Sequence, residues 1–515
     1  MIMRGRPASV FAKARVVMFV ALAGSLLCAQ TGRTSLRNKV AETPPMGWNS
    51  YDYYNWTVDE AETMANAEWM AKRLKPYGWQ YVVVDFLWSM PLRKNTFSHR
   101  QWRRHGRPRF RLAMDADGRL LPDPGRFPSS AGGGGFRALA GRIHALGLKF
   151  GIHVMRGIPR QAVFEKTPVS GTPFTADEVA DVKSICEWND HMYGLDMAKP
   201  GAQAYLDSVF KLYASWGVDF VKVDDILSPF HREEIEGYRR AIDDSGRPMV
   251  LSLSCGPVDA SKAGFLEANA NMWRVTSDMW DSWAMLRDAF RSAEEWRGRS
   301  GAKAWPDLDM LPLGRIAARY NRDSDTFSTL DRNCRLTRDE RQTLMNLWAI
   351  CRSPLMIGAN LPDNDEWTTS LLTNRAVIEV DQHSRNSRLV REGDLTVYAA
   401  DAQEGEDVYA AFFNKTDAPA TVSLNLAELS LNPNLRACTI EDLWTGKTLG
   451  RVENAIRVPL APHASALYRL RVERSAPVKG VSIEAVGSQL KINKSVNSRG
   501  WFSRADRYFG GQKRV

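Results

Sequence analysis

Short apolar runs alternate with longer amphipathic stretches over the first three quarters of the chain. Eight of these runs are rich in β-branched or aromatic residues and have the length of buried strands. The stretches between them repeat apolar residues at helical spacing. Strands that alternate with helices in this number predict an α/β fold, a (β/α)8 TIM barrel at residues 43–384. The predicted strands are MGWNS (46–50), YVVVD (81–85), KFGIHV (149–154), WGVDFVKVDD (216–225), MVLSLS (249–254), NMWRVTSD (271–278), AWPDLDML (304–311) and PLMIG (354–358). The predicted helices are residues 59–74, 136–146, 202–216, 233–243, 261–268, 283–296 and 338–350.

The pattern changes after about residue 381. Short segments with period-two alternation follow one another there, separated by turn residues at regular intervals. This arrangement predicts a C-terminal antiparallel β-sandwich at residues 390–472. The remaining segment, residues 473–515, is basic and weakly periodic, and it is either an extra strand pair or a disordered end; the sequence favours disorder.

The formal net charge of +10 is concentrated at the two ends of the chain. Residues 1–15 carry +4 and residues 471–515 carry +7, which leaves about −1 for the rest. A nucleic-acid-binding domain would need a basic surface on its folded body. Because the body is almost neutral and has no nucleic-acid-binding motif, we expect no nucleic-acid partner. The sequence predicts no particular oligomeric state.

The N-terminus has the layout of a secretory signal, with a basic lead followed by an apolar run at residues 16–29. The run is too short for a membrane span with these flanks. We therefore predict a signal peptide at residues 1–30, export to the periplasm or the medium, and no membrane span. The five cysteines that remain are widely spaced without a CxxC motif, which argues against a disulfide framework.

The strand WGVDFVKVDD ends in charged residues, Lys222, Asp224 and Asp225. Because side chains alternate along a strand, Lys222 and Asp224 share one face, about 6.6 Å apart along the axis, and Asp225 points to the other. The carboxyl end of a barrel strand is where ligands bind and catalytic groups collect. The stretch alone is as compatible with a structural role, either a buried ion pair or a helix N-cap by Asp225, as with a ligand site.

Further acids lie at or near the ends of other predicted strands, namely Asp85, Asp278 and Asp309. Like charges at one barrel rim must be desolvated together, which is costly, so such a cluster indicates a functional site. Alternation places Arg274 on the face of Asp278, as it places a lysine beside Asp224. Two carboxylates with cationic neighbours are typical of glycoside hydrolysis, where one acts as nucleophile and the other as acid/base.

Metal-dependent hydrolysis is the main alternative for an acidic barrel rim. Barrel hydrolases that hold a metal usually place histidines there, and the chain offers His153 but neither an HxH nor an HExxH motif. A GxSxG nucleophile elbow is also absent from the sequence. We therefore expect no metal and no cofactor.

Ordered sequence blocks resemble those of glycoside hydrolase family 27, the retaining exo-glycosidases of the α-galactosidase type. The resemblance covers residues 43–470, barrel and sandwich together. It implies that Asp224 is the nucleophile and that Asp278 is the acid/base. The blocks are TPPMGWNSY, YVVVD, GLKFGIH, WGVDFVKVDD, WRVTSD, WPDLDML, LTRDERQTLMNLWAICRSPLMIG and DLWTG. The residues that the resemblance places around the sugar are Trp48, Asp85, His153, Lys222, Arg274 and Asp309.

The chain departs from the family pattern at positions near the sugar. Members that bind galactose typically have a second acid after that of the second strand, and the two hold the hydroxyls at carbons four and six; here Phe86 stands in its place. A tyrosine is usual at the position of His153, and SLSCGP (252–257) lacks a glutamate seen in some members. The block WNDPDML reads WPDLDML. Fewer acids toward carbon six favour a pentopyranose such as β-L-arabinopyranose.

We expect a retaining exo-glycosidase that removes terminal α-D-galactosyl residues from a carbohydrate substrate, with its two catalytic carboxyls about 5 to 5.5 Å apart. Activity as a β-L-arabinopyranosidase or an α-N-acetylgalactosaminidase remains an alternative on the same scaffold. A carbohydrate-binding barrel without catalysis is an alternative from another class. Alternation also predicts that replacement of Asp225 lowers activity less than replacement of Asp224.

Overall fold

The computed structural model describes residues 35–91, 111–316, 332–429 and 437–472, together with short strands at residues 320–321, 326–327, 481–486 and 489–494. The predicted signal peptide lies outside the described residues. Among the helices of this part of the chain, none is both long enough and apolar enough to cross a membrane.

Eight parallel strands form a barrel, which confirms the predicted fold. The strand order is β7-β6-β5-β4-β3-β2-β1-β8, and neighbouring strands pair in parallel. A parallel bridge between Leu311 and Ile357 joins the two ends of the sheet, and the Leu311 amide donates to the Met356 carbonyl (2.7 Å). The strands are β1 (Met46–Asn49), β2 (Tyr81–Val84), β3 (Lys149–Met155), β4 (Phe220–Asp224), β5 (Val250–Leu253), β6 (Met272–Arg274), β7 (Trp305–Asp307) and β8 (Leu355–Ile357).

Helices surround this sheet, and each of those predicted from the sequence is present within two residues at either end. Capping boxes fix two helix starts, since Asp59 and Glu62 cap one helix reciprocally and Thr337 and Glu340 cap another. The helices are α1 (Tyr51–Tyr54), α2 (Glu60–Arg73), α3 (Arg137–Ala145), α4 (Arg160–Glu165), α5 (Ala176–Val179), α6 (Pro200–Trp216), α7 (Arg232–Asp244), α8 (Ala263–Asn269), α9 (Trp283–Glu295), α10 (Arg338–Cys351), α11 (Glu366–Leu372) and α12 (Arg375–His383).

The outer and inner faces of the barrel sheet carry side chains with different roles. Apolar residues on the outer face pack against the helices in the main core of the protein. The first residue of several strands points inward and closes the amino end of the barrel with large side chains, among them Tyr81, Phe220 and Trp305. Along β4 the inward positions after Phe220 are Lys222 and Asp224, so charge replaces apolar bulk toward the carboxyl end.

The C-terminal domain is an antiparallel β-sandwich, as predicted. Its larger sheet has the order β9-β10-β11-β16-β13-β14, and β12 pairs with β15 in the smaller sheet. One apolar core contains residues of both sheets, including Val397 and Phe412 from the larger and Val422 and Val458 from the smaller. The strands are β9 (Ser384–Arg391), β10 (Leu395–Ala402), β11 (Val408–Asn414), β12 (Ala420–Asn425), β13 (Ala437–Asp442), β14 (Thr448–Glu453), β15 (Ala455–Leu460) and β16 (Ser465–Val472).

Hydrogen bonds that are buried or partly buried join the two domains. Asn346 of α10 donates to the Ser465 hydroxyl (2.8 Å) and accepts from the Trp444 indole (2.8 Å). Thr343, one turn earlier, also donates to the Ser465 hydroxyl (2.9 Å). In the basic tail, Val481–Val486 pairs antiparallel with Gln489–Lys494, which is the strand pair that the sequence left open; the rest of residues 473–515 lies outside the described residues.

Candidate active site

A cavity of about 340 Å³ opens at the carboxyl end of the barrel. Its volume lies at the lower end of the range of small-molecule sites, which suits one sugar ring better than an extended chain. Six of the predicted site residues line it, and they come from or follow β2, β4, β6 and β7. These residues are Asp85, Lys222, Asp224, Arg274, Asp278 and Asp309.

Trp48 does not line the cavity, in contrast to what the resemblance implies. In the sheet register it lies beside Val82 and Ile357, whose side chains belong to the outer, helix-facing core. Its side chain is fully buried there, and its indole donates to the Ala359 carbonyl (2.7 Å). The inward position at the end of β1 is the next residue, Asn49, because side chains alternate along a strand.

Asn49 takes part in a hydrogen-bonded group around Asp85. Asp85 Oδ2 accepts from the Asn49 amide (2.6 Å) and from the Lys222 ammonium (3.1 Å), while Oδ1 accepts from the Phe86 amide (2.8 Å). Burial works to raise the pKa of Asp85, but Lys222, His153 and these hydrogen bonds outweigh it and hold the pKa below its ordinary value. Asp85 is therefore an anionic acceptor at the cavity wall.

His153 also stands behind the cavity surface. It is buried on β3 next to β4, and its Nε2 lies 3.0 Å from Asp224 Oδ2. The Asp225 amide donates to the other oxygen, Asp224 Oδ1 (2.9 Å). Burial works to raise the pKa of Asp224, but the hydrogen bond and charge of His153, and then Lys222, hold that pKa well below its usual range. Asp224 is thus a buried carboxylate that stays ionised, as a nucleophile requires.

Asp278 occupies a different environment at the mouth of the cavity. Its side chain is 63% exposed, against 13% for Asp224. The predicted strand through residue 278 ends earlier, since β6 stops at Arg274 and a loop brings Asp278 back over it. The Arg274 guanidinium then binds both Asp278 Oδ1 (3.0 Å) and Asp309 Oδ1 (2.7 Å). An exposed carboxyl at the mouth can exchange protons with solvent, whereas a buried one cannot do so readily.

Asp309 completes this side of the cavity. Its Oδ2 accepts from the Met279 amide (2.6 Å), so it anchors the loop that carries Asp278. Its own backbone is left-handed, with φ of +84°, a conformation that costs energy in a residue with a Cβ and that recurs at functional sites. Burial is the largest factor that raises the pKa of Asp309, to about 7, against the opposing charge of Arg274.

Asp225 points away from the cavity, as alternation predicts. It forms a buried ion pair with Arg156 (2.9 Å), and the same guanidinium binds Glu234 (2.7 Å). The Arg156 amide also donates to the Asp224 carbonyl (3.0 Å). This ion-paired group holds the end of β4 from behind, so Asp225 contributes to structure while Asp224 faces the cavity.

One wall of the cavity is apolar. Phe86 lies beside Asp85 and makes an edge contact with the His153 ring (centroids 5.4 Å apart) and a tilted contact with the Trp188 ring (5.8 Å). Trp188 and Trp280 come from loops after β3 and β6 and line the cavity as well. Sequence periodicity cannot place such loop residues, whereas strand alternation could have found Asn49.

Lys222 binds Asp85, and Arg274 binds Asp278 and Asp309. In the described part of the chain, no group of three or more histidine, cysteine or acidic side chains has the arrangement of a metal site. The five described cysteines are free thiols. What the cavity presents is a set of hydrogen-bonding anions and cations around a space for one small polar ligand.

Comparisons with known proteins agree with this site. The family model for alpha galactosidase A matches residues 194–383, and that for the alpha galactosidase C-terminal beta sandwich domain matches residues 392–470. A solved structure of a family 27 β-L-arabinopyranosidase from Geobacillus stearothermophilus is 48% identical with a TM-score of 0.79, covering 85% of this chain and 98% of that one.

More distant relatives carry other names. Alpha-galactosidase 2 of Arabidopsis thaliana is 26% identical over 446 residues, which is 85% of this chain and 92% of that protein. The alpha-N-acetylgalactosaminidase of Gallus gallus is 26% identical over 445 residues, 80% of this chain and 89% of that one. The barrel, its acidic rim and these relatives define an enzyme that hydrolyses glycosides. The chain belongs to glycoside hydrolase family 27.

Proposed function

We propose that the protein is an exported, retaining exo-glycosidase that removes terminal β-L-arabinopyranosyl residues. The observation that carries the choice of sugar is Phe86, which lines the cavity next to Asp85. β-L-Arabinopyranose has the ring configuration of α-D-galactose but lacks the exocyclic carbon six and its hydroxyl. An apolar wall beside Asp85 suits a ring with no hydroxymethyl group to receive.

The magnitude of this discrimination follows from the cost of an unpaired polar group. A galactosyl hydroxyl at carbon six that faces Phe86 would lose its hydrogen bonds to water without replacement, at a cost of about 1–3 kcal/mol. That cost corresponds to roughly 5- to 150-fold in kcat/KM. The proposal thus places the pentopyranose ahead of the α-D-galactoside, in the reverse of the order expected from the sequence.

The proposed reaction proceeds in two steps. Asp224 attacks the anomeric carbon and forms a glycosyl ester, while Asp278 gives its proton to the departing oxygen of the aglycone. Asp278 then takes a proton from water, which attacks the same carbon and releases the sugar and the Asp224 carboxylate. The burial and hydrogen bonding of Asp224 and the exposure of Asp278 support this division of roles. Two displacements give net retention of configuration.

Hydrolysis of α-D-galactosides is the second candidate function. The family models and curated relatives named as α-galactosidases favour it, although the latter are only 24–28% identical to the chain. The β-L-arabinopyranosidase from Geobacillus is a nearer relative, and it supports the first candidate.

A panel of nitrophenyl glycosides tests the proposed function. The panel contains β-L-arabinopyranoside, α-D-galactoside and α-N-acetyl-D-galactosaminide. We expect the highest kcat/KM on the β-L-arabinopyranoside, by roughly 5-fold or more over the galactoside. A higher value on the galactoside would refute the sugar assignment. Binding of L-arabinose without turnover of any substrate would instead favour a non-catalytic carbohydrate-binding barrel.

Two further measurements test retention and export. Proton NMR of the first-formed sugar should show the anomeric configuration of the substrate, and the opposite anomer would contradict the mechanism. The full chain, expressed with residues 1–30 in a bacterial host, should be recovered outside the cytoplasm without those residues. Recovery of an intact chain in the cytoplasm would contradict export.

A further inference from the structure

One buried carboxyl in the cavity wall has no role in the reaction described above. Asp52 belongs to the short helix α1 that follows β1, its residue is 3% exposed, and it lines the cavity. Among the described residues, its Oδ2 has no hydrogen-bond partner. A buried polar atom without a partner costs about 1–3 kcal/mol, which a hydrogen bond between this carboxyl and a ligand hydroxyl would offset.

The absence of a side chain at Gly358 leaves space for this carboxyl. A Cβ atom on Gly358, which directly follows β8, would lie 2.3 Å from Asp52 Oδ2. The next residue, Ala359, is fixed because its carbonyl accepts from the Trp48 indole (2.7 Å). Only glycine at residue 358 therefore leaves room for the carboxyl in its observed position. Trp48, placed at the sugar by the resemblance, acts one layer behind it by holding this turn.

The charge state of Asp52 follows from its surroundings. Burial is the largest factor that raises the pKa of Asp52 well above its ordinary value, and the negative charges of Asp309, Asp85 and Asp278 raise it further. Lys222 opposes this shift, but its ammonium already binds Asp85 (3.1 Å). These surroundings favour the protonated form of Asp52, which has one hydroxyl donor.

The cavity wall also contains neutral donors, among them the Ser277 hydroxyl and the Trp280 indole. Asp85 and Asp224 are acceptors, and the two cations are each engaged with carboxylates of the rim. A sugar hydroxyl that donates to one of these acceptors still has lone pairs of its own to satisfy. A protonated carboxyl in the wall adds a donor that is fixed by burial, without adding charge.

We propose that Asp52 is a substrate-binding residue whose carboxylic acid donates a hydrogen bond to a ring hydroxyl of the bound glycone. This role rests on the proposed function, because it requires the ligand of the cavity to be a pyranoside. It goes beyond that function by assigning a residue that selects for one ring hydroxyl. Gly358 is the position that keeps the donor in place.

Three proteins test the role of Asp52, namely the wild type, Asp52→Asn and Asp52→Leu. The amide of asparagine still donates, so we expect kcat/KM within about 5-fold of the wild type. Leucine has a similar shape but no donor, and kcat/KM should fall about 10- to 100-fold. An equal loss in both variants would show that the negative charge or the structure matters, and no loss in Asp52→Leu would refute substrate contact. Should the leucine variant fail to fold, Asp52→Ala provides the same comparison.

Substrates that lack one ring hydroxyl identify the partner of Asp52. With the 2-, 3- and 4-deoxy nitrophenyl glycosides, the penalty of Asp52→Leu should disappear on one substrate and persist on the other two. A penalty of the same size on all three would overturn the proposal, since it would reflect a general distortion. The parent glycoside is whichever of the β-L-arabinopyranoside and the α-galactoside the wild type hydrolyses, so an error about the sugar does not affect the result.

If neither glycoside is hydrolysed, the proposed function fails. The same three proteins are then compared by their Kd for L-arabinose, and an unchanged Kd in Asp52→Leu refutes the role of Asp52.

Discussion

Replacement of Phe86 by aspartate should shift the sugar preference of the enzyme toward galactosides. Phe86 lines the cavity beside Asp85 and packs against His153 and Trp188, so a shorter acidic side chain opens space and adds an acceptor there. The hydroxyl at carbon six of a galactoside would then find a charged partner. The pentopyranoside has no group at this position and gains nothing.

The size of the shift follows from two contributions. A hydrogen bond to a charged acceptor is worth about 1.5–3 kcal/mol, and the unpaired hydroxyl of the wild-type complex costs about 1–3 kcal/mol. These two free energies are not additive because they describe the same hydroxyl. Repulsion between the new aspartate and Asp85 reduces the gain in binding free energy further. We therefore expect the ratio of kcat/KM for galactoside over arabinopyranoside to rise about 10- to 100-fold.

The assay is the measurement of both kcat/KM values on one enzyme preparation, so that losses of stability cancel in the ratio. Phe86→Leu is the matched control, since it removes the ring without adding an acceptor, and its ratio should stay within about 3-fold of the wild type. An unchanged ratio in Phe86→Asp would refute the assignment of Phe86 to the region of carbon six. An equal rise in both variants would show that size alone sets the preference.

Three further predictions concern the nucleophile, its hydrogen-bond partner and the domain interface. Asp224→Asn should lower kcat by at least about 10³-fold with little change in melting temperature. Asp225→Asn should keep most activity and lose about 1–3 kcal/mol of unfolding free energy, because it weakens the buried pair with Arg156. A larger loss of activity in Asp225→Asn than in Asp224→Asn would contradict the assignment. His153→Phe removes a hydrogen bond that lowers the pKa of Asp224, so that pKa should rise. The acidic limb of the pH profile of kcat/KM requires ionised Asp224 and should therefore move to higher pH. An acidic limb that stays in place would show that His153 does not lower the pKa of Asp224. Asn346→Leu removes the hydrogen bonds to buried Ser465 and to partly buried Trp444 at the domain interface. It should cost about 2–4 kcal/mol in denaturant unfolding without changing kcat/KM at 25 °C, and wild-type stability would contradict the importance of these bonds.

The elements of the barrel could be predicted because their signals are local. Runs of β-branched residues mark strands, and capping residues such as Asp59 and Thr337 mark helix starts. The choice of Asp224 over Asp225 as the cavity-facing acid was also local, since strand alternation decides it. The structure agrees, with Asp224 in the cavity wall and Asp225 paired with Arg156 behind it.

The remainder of the site depends on contacts that a single sequence does not display. Trp48 was assigned by family resemblance, although alternation along β1 would have chosen Asn49. Asp278 reaches the cavity through a loop rather than along a strand, so the predicted alternation from Arg274 does not explain its position. Asp52 gave no signal because its burial depends on Gly358, which lies some 300 residues further along the chain.

The most direct test of the account is the chemical capture of the glycosyl-enzyme. A 2-deoxy-2-fluoro-β-L-arabinopyranosyl donor with a good leaving group should inactivate the enzyme by forming a stable ester. The fluorine slows both steps because each has an oxocarbenium-like transition state, and the good leaving group restores the rate of the first step only. Trypsin cleaves after Lys222 and Arg232, so the label should appear on the peptide of residues 223–232. Fragmentation by mass spectrometry should place it on Asp224. A label on Asp225 or Asp278 would contradict Asp224 as the nucleophile of a retaining enzyme.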